Sequence, residues 1–76
     1  MVRAREPITR MFGQRLRAAR QERGWSLEAL SDRCGLHWTY IGSVERGERN
    51  ISLVNIVRLT GALEIDPCEL VRGLRP

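Results

Sequence analysis

The sequence predicts an all-α fold, a compact bundle of five short helices around one small core. Three observations predict it. Apolar residues recur every three to four positions in separate segments, the spacing that lines one face of a helix. The segments open on capping residues or a proline, and glycines close several of them. No stretch alternates apolar and polar residues as a half-buried strand would, and no internal repeat occurs. At 76 residues the chain has room for one domain, and its hydrophobic fraction of 42% is ordinary for a globular protein. A core of this size is marginal and gains from a partner subunit.

Residues 1–6, MVRARE, are polar and basic and read as a flexible arm, leaving residues 7–76 as the single folded domain. Pro7 opens the first helix, because its missing N–H would have no helical partner there. Ile8, Phe12, Leu16 and Ala19 form its inner stripe, Arg10, Arg15, Arg17, Arg20 and Arg23 its other faces, and Gly24 a left-handed cap. Ser26 caps a second, short helix with Leu27, Leu30 and Cys34 inside. Gly35 and Leu36 make a tight turn, His37 caps the third helix, and Gly47 ends it. Ser52 caps the fourth, with Leu53, Ile56, Leu59, Thr60 and Leu63 as its inner stripe. Asp66 caps a fifth of about six residues, with Pro67 at its first position, Glu69 completing a capping box, and Ile65 and Leu70 as a hydrophobic staple.

All 13 basic residues are arginine, against nine acidic residues, a net charge of +4. Positive charge favours a polyanionic partner, and arginine's planar fork matches phosphates and guanine edges. No apolar run is long enough to span a membrane and no signal peptide opens the chain, so a cytoplasmic bacterial protein is expected. Cys34 and Cys68 do not form a metal-type pair and His37 is the only histidine; both cysteines read as reduced, largely buried residues. No metal, cofactor or small-molecule ligand is expected, and no convergent acid, base and nucleophile suggests an enzyme.

The short junction between the second and third helices has the form of a helix-turn-helix, whose second helix enters the DNA major groove. Stepping about 100° per residue from Ile41 places Val44, and nearly Glu45, on the buried side. Thr39, Gly42, Ser43 and Arg46 fall opposite. That face is short, polar and tipped by an arginine, as deep insertion between two strands requires. Gly42 would let the backbone approach DNA, Thr39 and Ser43 would reach base edges, and Arg46 would fork onto guanine O6 and N7 or clamp a phosphate. His37 reads as a cap or phosphate donor.

The layout from Leu16 to Leu70 resembles the Xre family of helix-turn-helix regulators, to which lambdoid phage repressors and Cro proteins belong. The segments that carry the likeness are RLRAARQERGWSLEALSDRCGL, YIGSVERGERNISL and ALEIDPCEL, about three quarters of the chain. The run LHWTYIGSVERGERNISLVNI is similar to the restriction–modification controller branch, small dimers that time nuclease expression. This resemblance implies an inward-facing ion pair of Arg20 and Glu45. It implies base reading by Trp38, Thr39, Ser43 and Arg46, and backbone contacts from Tyr40, Arg49, Asn50 and Ser52. Two positions depart from the family. Leu27 stands where a phosphate-touching glutamine is common, so that contact is lost or passes to Ser26 or Trp25; Trp38 stands where controllers often have arginine.

One such domain makes too few contacts to find a single genomic site, so a homodimer on palindromic duplex DNA is expected. Ile51, Val54, Val57, Ile65, Val71 and Leu74 exceed what one small core needs and form the candidate dimer surface. The expected function is a sequence-specific transcriptional regulator, a controller acting on its own promoter. The competing expectation is a general Xre-type repressor, or an antitoxin-like adaptor that binds protein.

Overall fold

Pro7 stands where a helix can spare a backbone donor, and α1 (Pro7–Glu22) runs from it in the computed structural model, which describes residues 6–76. Four helices follow: α2 (Leu27–Cys34), α3 (Trp38–Glu45), α4 (Leu53–Leu63) and α5 (Cys68–Val71). The fold is all-α, with five helices in the expected order. Of the expected N-terminal arm only Glu6 falls among the described residues; its carbonyl oxygen accepts the Arg10 N–H at 3.0 Å, inside the first turn of α1.

Local chemistry sets the helix starts. Ser26 Oγ accepts the Ala29 N–H, and Ser52 Oγ accepts the Asn55 N–H, each satisfying a donor that the first turn leaves over. Asp66 accepts the Cys68 N–H at 2.9 Å, and this bond holds its carboxyl below the usual carboxylate range. The helix that follows, α5, has four residues rather than the expected six or so, because Arg72 leaves the helical region with extended backbone and Gly73 then turns left-handed.

The amphipathic faces meet in a core of Phe12, Leu16, Leu30, Ile41, Val44, Leu59, Leu63 and Leu70. Within the bundle α3 packs against both α1 and α2, while α4 lies on α2 and α5 on α1. Two expectations about burial are corrected. Leu53, assigned to the inner stripe of α4, is 75% exposed: in the first turn of that helix it is Asn55 and Ile56 that face the bundle, and Leu53 points away. Cys68 is exposed rather than buried, at the start of α5, where Arg72 donates to its sulfur at 3.2 Å.

Two glycines allow α1 and α3 to come together. A Cβ on Gly13 would lie 2.4 Å from the Val44 carbonyl oxygen and 2.5 Å from that of Glu45. Those are backbone atoms, which cannot swing aside. Gly47 has φ +78°, and a Cβ there would meet Arg10 Cγ at 2.8 Å. The Thr9 hydroxyl reaches the Gly47 carbonyl oxygen at 2.9 Å across the same seam.

Arg15 of α1 and Arg23 at its C-terminal end are held by the fold itself. Arg15 Nη1 donates to the carbonyls of Leu70 and Arg72, at 3.3 and 2.6 Å, and Arg23 Nη2 donates to the Leu63 carbonyl. These are carbonyls at helix ends, where positive charge also suits the dipole.

The seam predicts a contrast between two glycine substitutions. Gly13→Ala should cost about 3 kcal/mol in equilibrium urea unfolding, because overpacking there meets backbone. Gly61→Ala, on α4 with nothing within 4 Å of the new Cβ, should stabilise by about 1 kcal/mol. Equal effects at the two sites would overturn the packing account.

Candidate nucleic-acid interface

The turn between α2 and α3 sets the angle at which α3 is presented. Gly35 adopts a left-handed conformation, φ +80°, and its N–H returns to the Ser31 carbonyl. The Ser31 hydroxyl then donates to the Leu36 carbonyl at 2.6 Å, closing the loop from inside. Ser31 was not singled out from sequence, because a serine inside a helix carries no signal of this reach.

From the other side α3 is held by charge. Arg20 Nε and Nη2 donate to the two carboxylate oxygens of Glu45, at 2.7 and 2.9 Å, and Nη1 donates to the Trp25 carbonyl at 2.9 Å. The side chains of the pair are 12% and 6% exposed, so the bond is shielded from water. The hydrogen bonds to Glu45 raise the Arg20 guanidinium further above its ordinary pKa. A bidentate, nearly buried pair of this kind fixes orientation, since breaking it leaves a charge stranded.

At the N-terminus of α3, His37 Nδ1 accepts the Thr39 N–H at 3.2 Å and lies 2.7 Å from Thr39 Oγ1. A nitrogen that accepts carries no proton, so the neutral ring has its proton on Nε2, facing away from the cap. The ring stacks against Trp38, 5.6 Å between centroids. Trp38 is 44% exposed, and Thr39 beside it is exposed as well.

The middle of α3 differs from the two-sided helix expected. Ser43, expected among the base readers, is buried at 6% exposure; its hydroxyl donates to the Tyr40 carbonyl at 2.6 Å and accepts the Arg49 Nε–H at 3.2 Å. Gly42, expected to meet DNA with its bare backbone, is also buried, with Arg46 Nη1 and the Leu27 side chain beside the place of its missing Cβ. The reason is that α3 is only two turns long and is enclosed from more than one side. Leu27 covers it from α2, and beyond the turn at Gly47 the Arg49 side chain reaches back to the Ser43 hydroxyl.

The exposed arginines at this end of α3 are held differently. Arg46 donates Nε–H and Nη2–H to the two oxygens of Glu48, at 3.0 and 3.3 Å. This pair, missed from sequence because a spacing of two in a turn follows no helical rule, places a carboxylate on the fork expected for guanine. Arg49 lies with its guanidinium carbon 5.8 Å from the centre of the Tyr40 ring. The Tyr40 hydroxyl accepts from Asn55 Nδ2 at 3.3 Å, which joins α3 to the capped start of α4. Asn50 is exposed next to Arg49, and the Ser26 and Ser52 caps open α2 and α4.

The candidate dimer residues fall in three places. Val54 and Val57 are exposed on α4, at 61% and 52%. Ile51, Val71 and Leu74 line one apolar groove with Ile8, Phe12 and Ile56, bordered by Arg49 and Asn50. Ile65 stands apart, lining a second groove beside Arg15 and Glu69. Among the described residues no group of His, Cys, Asp and Glu could hold a metal ion, and no helix is long and apolar enough to cross a membrane.

The corner formed by α2 and α3, with Arg46 and Arg49 exposed beside it, is that of a DNA-binding helix-turn-helix regulator. The chain belongs to the helix-turn-helix family HTH_3, which matches residues 16–70. It is 43% identical over 65 residues to the control protein C.BamHI of Bacillus amyloliquefaciens, covering 84% of this chain and 80% of that one. The crystal structure of the restriction–modification controller protein C.AhdI from Aeromonas hydrophila superposes with a TM-score of 0.80 at 53% identity, over 82% of this chain and 94% of that one. The biofilm master regulator SinR, crystallised in complex with DNA, superposes at 0.76 with 31% identity, over 79% and 97% of the two chains. The chain is therefore related to the control proteins of restriction–modification systems.

The Arg20–Glu45 bond has a measurable consequence. Glu45→Ala should lower stability by about 3 kcal/mol in urea unfolding, because it strands a largely buried guanidinium. A loss below about 1 kcal/mol would place the pair with solvent-screened surface bridges.

Proposed function

We propose that the protein regulates transcription as a homodimer on palindromic duplex operators, and that it is a restriction–modification controller acting on its own promoter. The observation that carries the proposal is the placing of α3: wedged between α1 and α2 by the Gly13 seam and the Arg20–Glu45 bond, with Trp38, Thr39 and Arg46 on its open side. The likeness to C.BamHI and C.AhdI supports the controller role, and that to SinR, crystallised in complex with DNA, supports a DNA partner.

In this proposal α3 enters the major groove from its His37-capped end. Trp38 packs on thymine methyls or sugars, Thr39 reaches a base edge, and Arg46 exchanges the two oxygens of Glu48 for O6 and N7 of a guanine. Grip on the backbone comes from Arg49, Asn50, the Nε2–H of His37 and the hydroxyl of Tyr40, which accepts from Asn55 and keeps its own proton to donate. The N-termini of α2 and α4, at Ser26 and Ser52, offer unpaired N–H groups and the positive end of a dipole to phosphates. Ser43 has no direct part in reading.

Two substitutions separate reading from grip. Arg46→Ala should weaken binding to the preferred duplex by about ten- to a hundredfold and relax preference at one position. Arg49→Ala should weaken binding to all duplexes alike and lower the slope of log affinity against log salt by about one per protomer. Gel-shift titrations over a salt series measure both, and an even loss across sequences from both variants overturns the assignment of Arg46 as reader.

Dimerisation would use Val54 and Val57 with the groove edge formed by Ile51, Val71 and Leu74, with Ile65 at its margin. A two-fold dimer needs a self-complementary patch, and the exposed valines on α4 supply apolar area for one. Such a dimer works in the cytoplasm, where its duplex lies. Analytical ultracentrifugation at micromolar concentration should show a dimer, and Val57→Glu a monomer. A wild-type chain that stays monomeric with and without duplex overturns the proposal.

A further inference from the structure

Ser43 was expected on the reading face and lies instead beneath it, yet its hydroxyl is not idle. It gives its one proton to the Tyr40 carbonyl at 2.6 Å and turns its lone pair to the Nε–H of Arg49, 3.2 Å away. The Tyr40 ring lies 5.8 Å from the Arg49 guanidinium carbon, within the range of cation–π attraction. Tyr40 is itself held through its hydroxyl by Asn55, whose backbone N–H caps onto Ser52. A long, exposed side chain is thus gripped at its inner nitrogen and along one face by groups that are themselves fixed. Among the described residues no carboxylate pairs with Arg49 and its terminal nitrogens have no hydrogen-bond partner, whereas the neighbouring Arg46 is closed on Glu48.

We propose that Ser43 and Tyr40 form a socket that aims Arg49, so that its terminal edge is preset to take two oxygens of one backbone phosphate. Ser43 is a positioning residue in this arrangement. The inference rests on the DNA-binding reading above and adds to it the residue that orders the grip. Its physical content is conformational entropy. A free arginine gives up rotamer freedom when it docks on a phosphate, and one already held at Nε gives up less. The serine hydroxyl suits this task because it is uncharged: it directs the guanidinium without cancelling the charge that draws it to DNA. A carboxylate at position 43 would hold Arg49 more tightly and neutralise it.

The test is a double-mutant cycle on affinity for a duplex selected by the wild-type protein from a random pool, followed by fluorescence anisotropy over a salt series. Ser43→Ala should weaken binding by about threefold to tenfold, the loss expected when one side chain must be ordered on docking. The salt slope should stay unchanged, because the charge of Arg49 is still there. In an Arg49→Ala background Ser43→Ala should change nothing. Arg49→Lys keeps the charge and loses the Nε donor, so Ser43→Ala should be silent there too. Urea unfolding of every variant separates a loss of socket from a loss of fold. A loss from Ser43→Ala that persists undiminished with Arg49→Ala, or no loss in the wild-type background, overturns the socket. A wild-type protein with no preference for any duplex overturns instead the DNA-binding reading on which the socket rests.

Discussion

At Gly13 the backbone of α1 comes so close to the last turn of α3 that a single methyl group would have to occupy the space of two carbonyl oxygens. The contacts across the seam follow from that approach. It brings the Thr9 hydroxyl within 2.9 Å of the Gly47 carbonyl and lets the Arg20 fork close on Glu45 at 2.7 and 2.9 Å. Gly47 completes the seam from the opposite side, its left-handed turn pressed against Arg10. With backbone on backbone, the position of α3 tolerates little drift. The proposed reading of bases by α3 would need that precision, because base-edge hydrogen bonds fail within fractions of an ångström.

Net charge is a coarse guide to such a surface. Arg15 and Arg23 reach carbonyls at helix ends, Arg20 is sealed against Glu45, and Arg46 is closed on Glu48. Arg49 is held by an uncharged hydroxyl and an aromatic face. The same residue type thus appears as a structural strut, as a paired charge and, in Arg49, as a charge left open to solvent within one small fold. What distinguishes these uses is the partner at the inner nitrogens. Counting arginines treats them as one population, and their surroundings divide them.

The uncovered valines of α4 complete the physical picture. Among the described residues eight large apolar side chains are buried in the core, while Val54, Val57 and Leu53 are more than half exposed. Apolar area of this kind on a small domain is worth burying elsewhere. Its place on α4, next to the groove bordered by Arg49 and Asn50, would couple pairing of two chains to the spacing of their reading helices.

Features with a local cause were legible from residues alone. Ser26, His37, Ser52 and Asp66 cap their helices because a side chain bonds an N–H two or three positions on, which needs no tertiary contact. The order of helices, the core leucines and the helix-turn-helix corner follow from the same short-range periodicity and turn chemistry. The faces of α3 did not, because a wheel divides a helix into one buried and one open side, and α3 is enclosed by α1, by Leu27 of α2 and by the Arg49 side chain. Burial of Gly42 under Leu27 and the seam at Gly13 each join parts of the chain whose proximity only packing creates, and closure of Arg46 on Glu48 depends on the turn at Gly47. Sequence alone determined where helices begin and what kind of fold they form, since those energies are short-ranged. Which side chains are left to meet a partner was decided by tertiary structure, since that depends on what the rest of the chain has already covered.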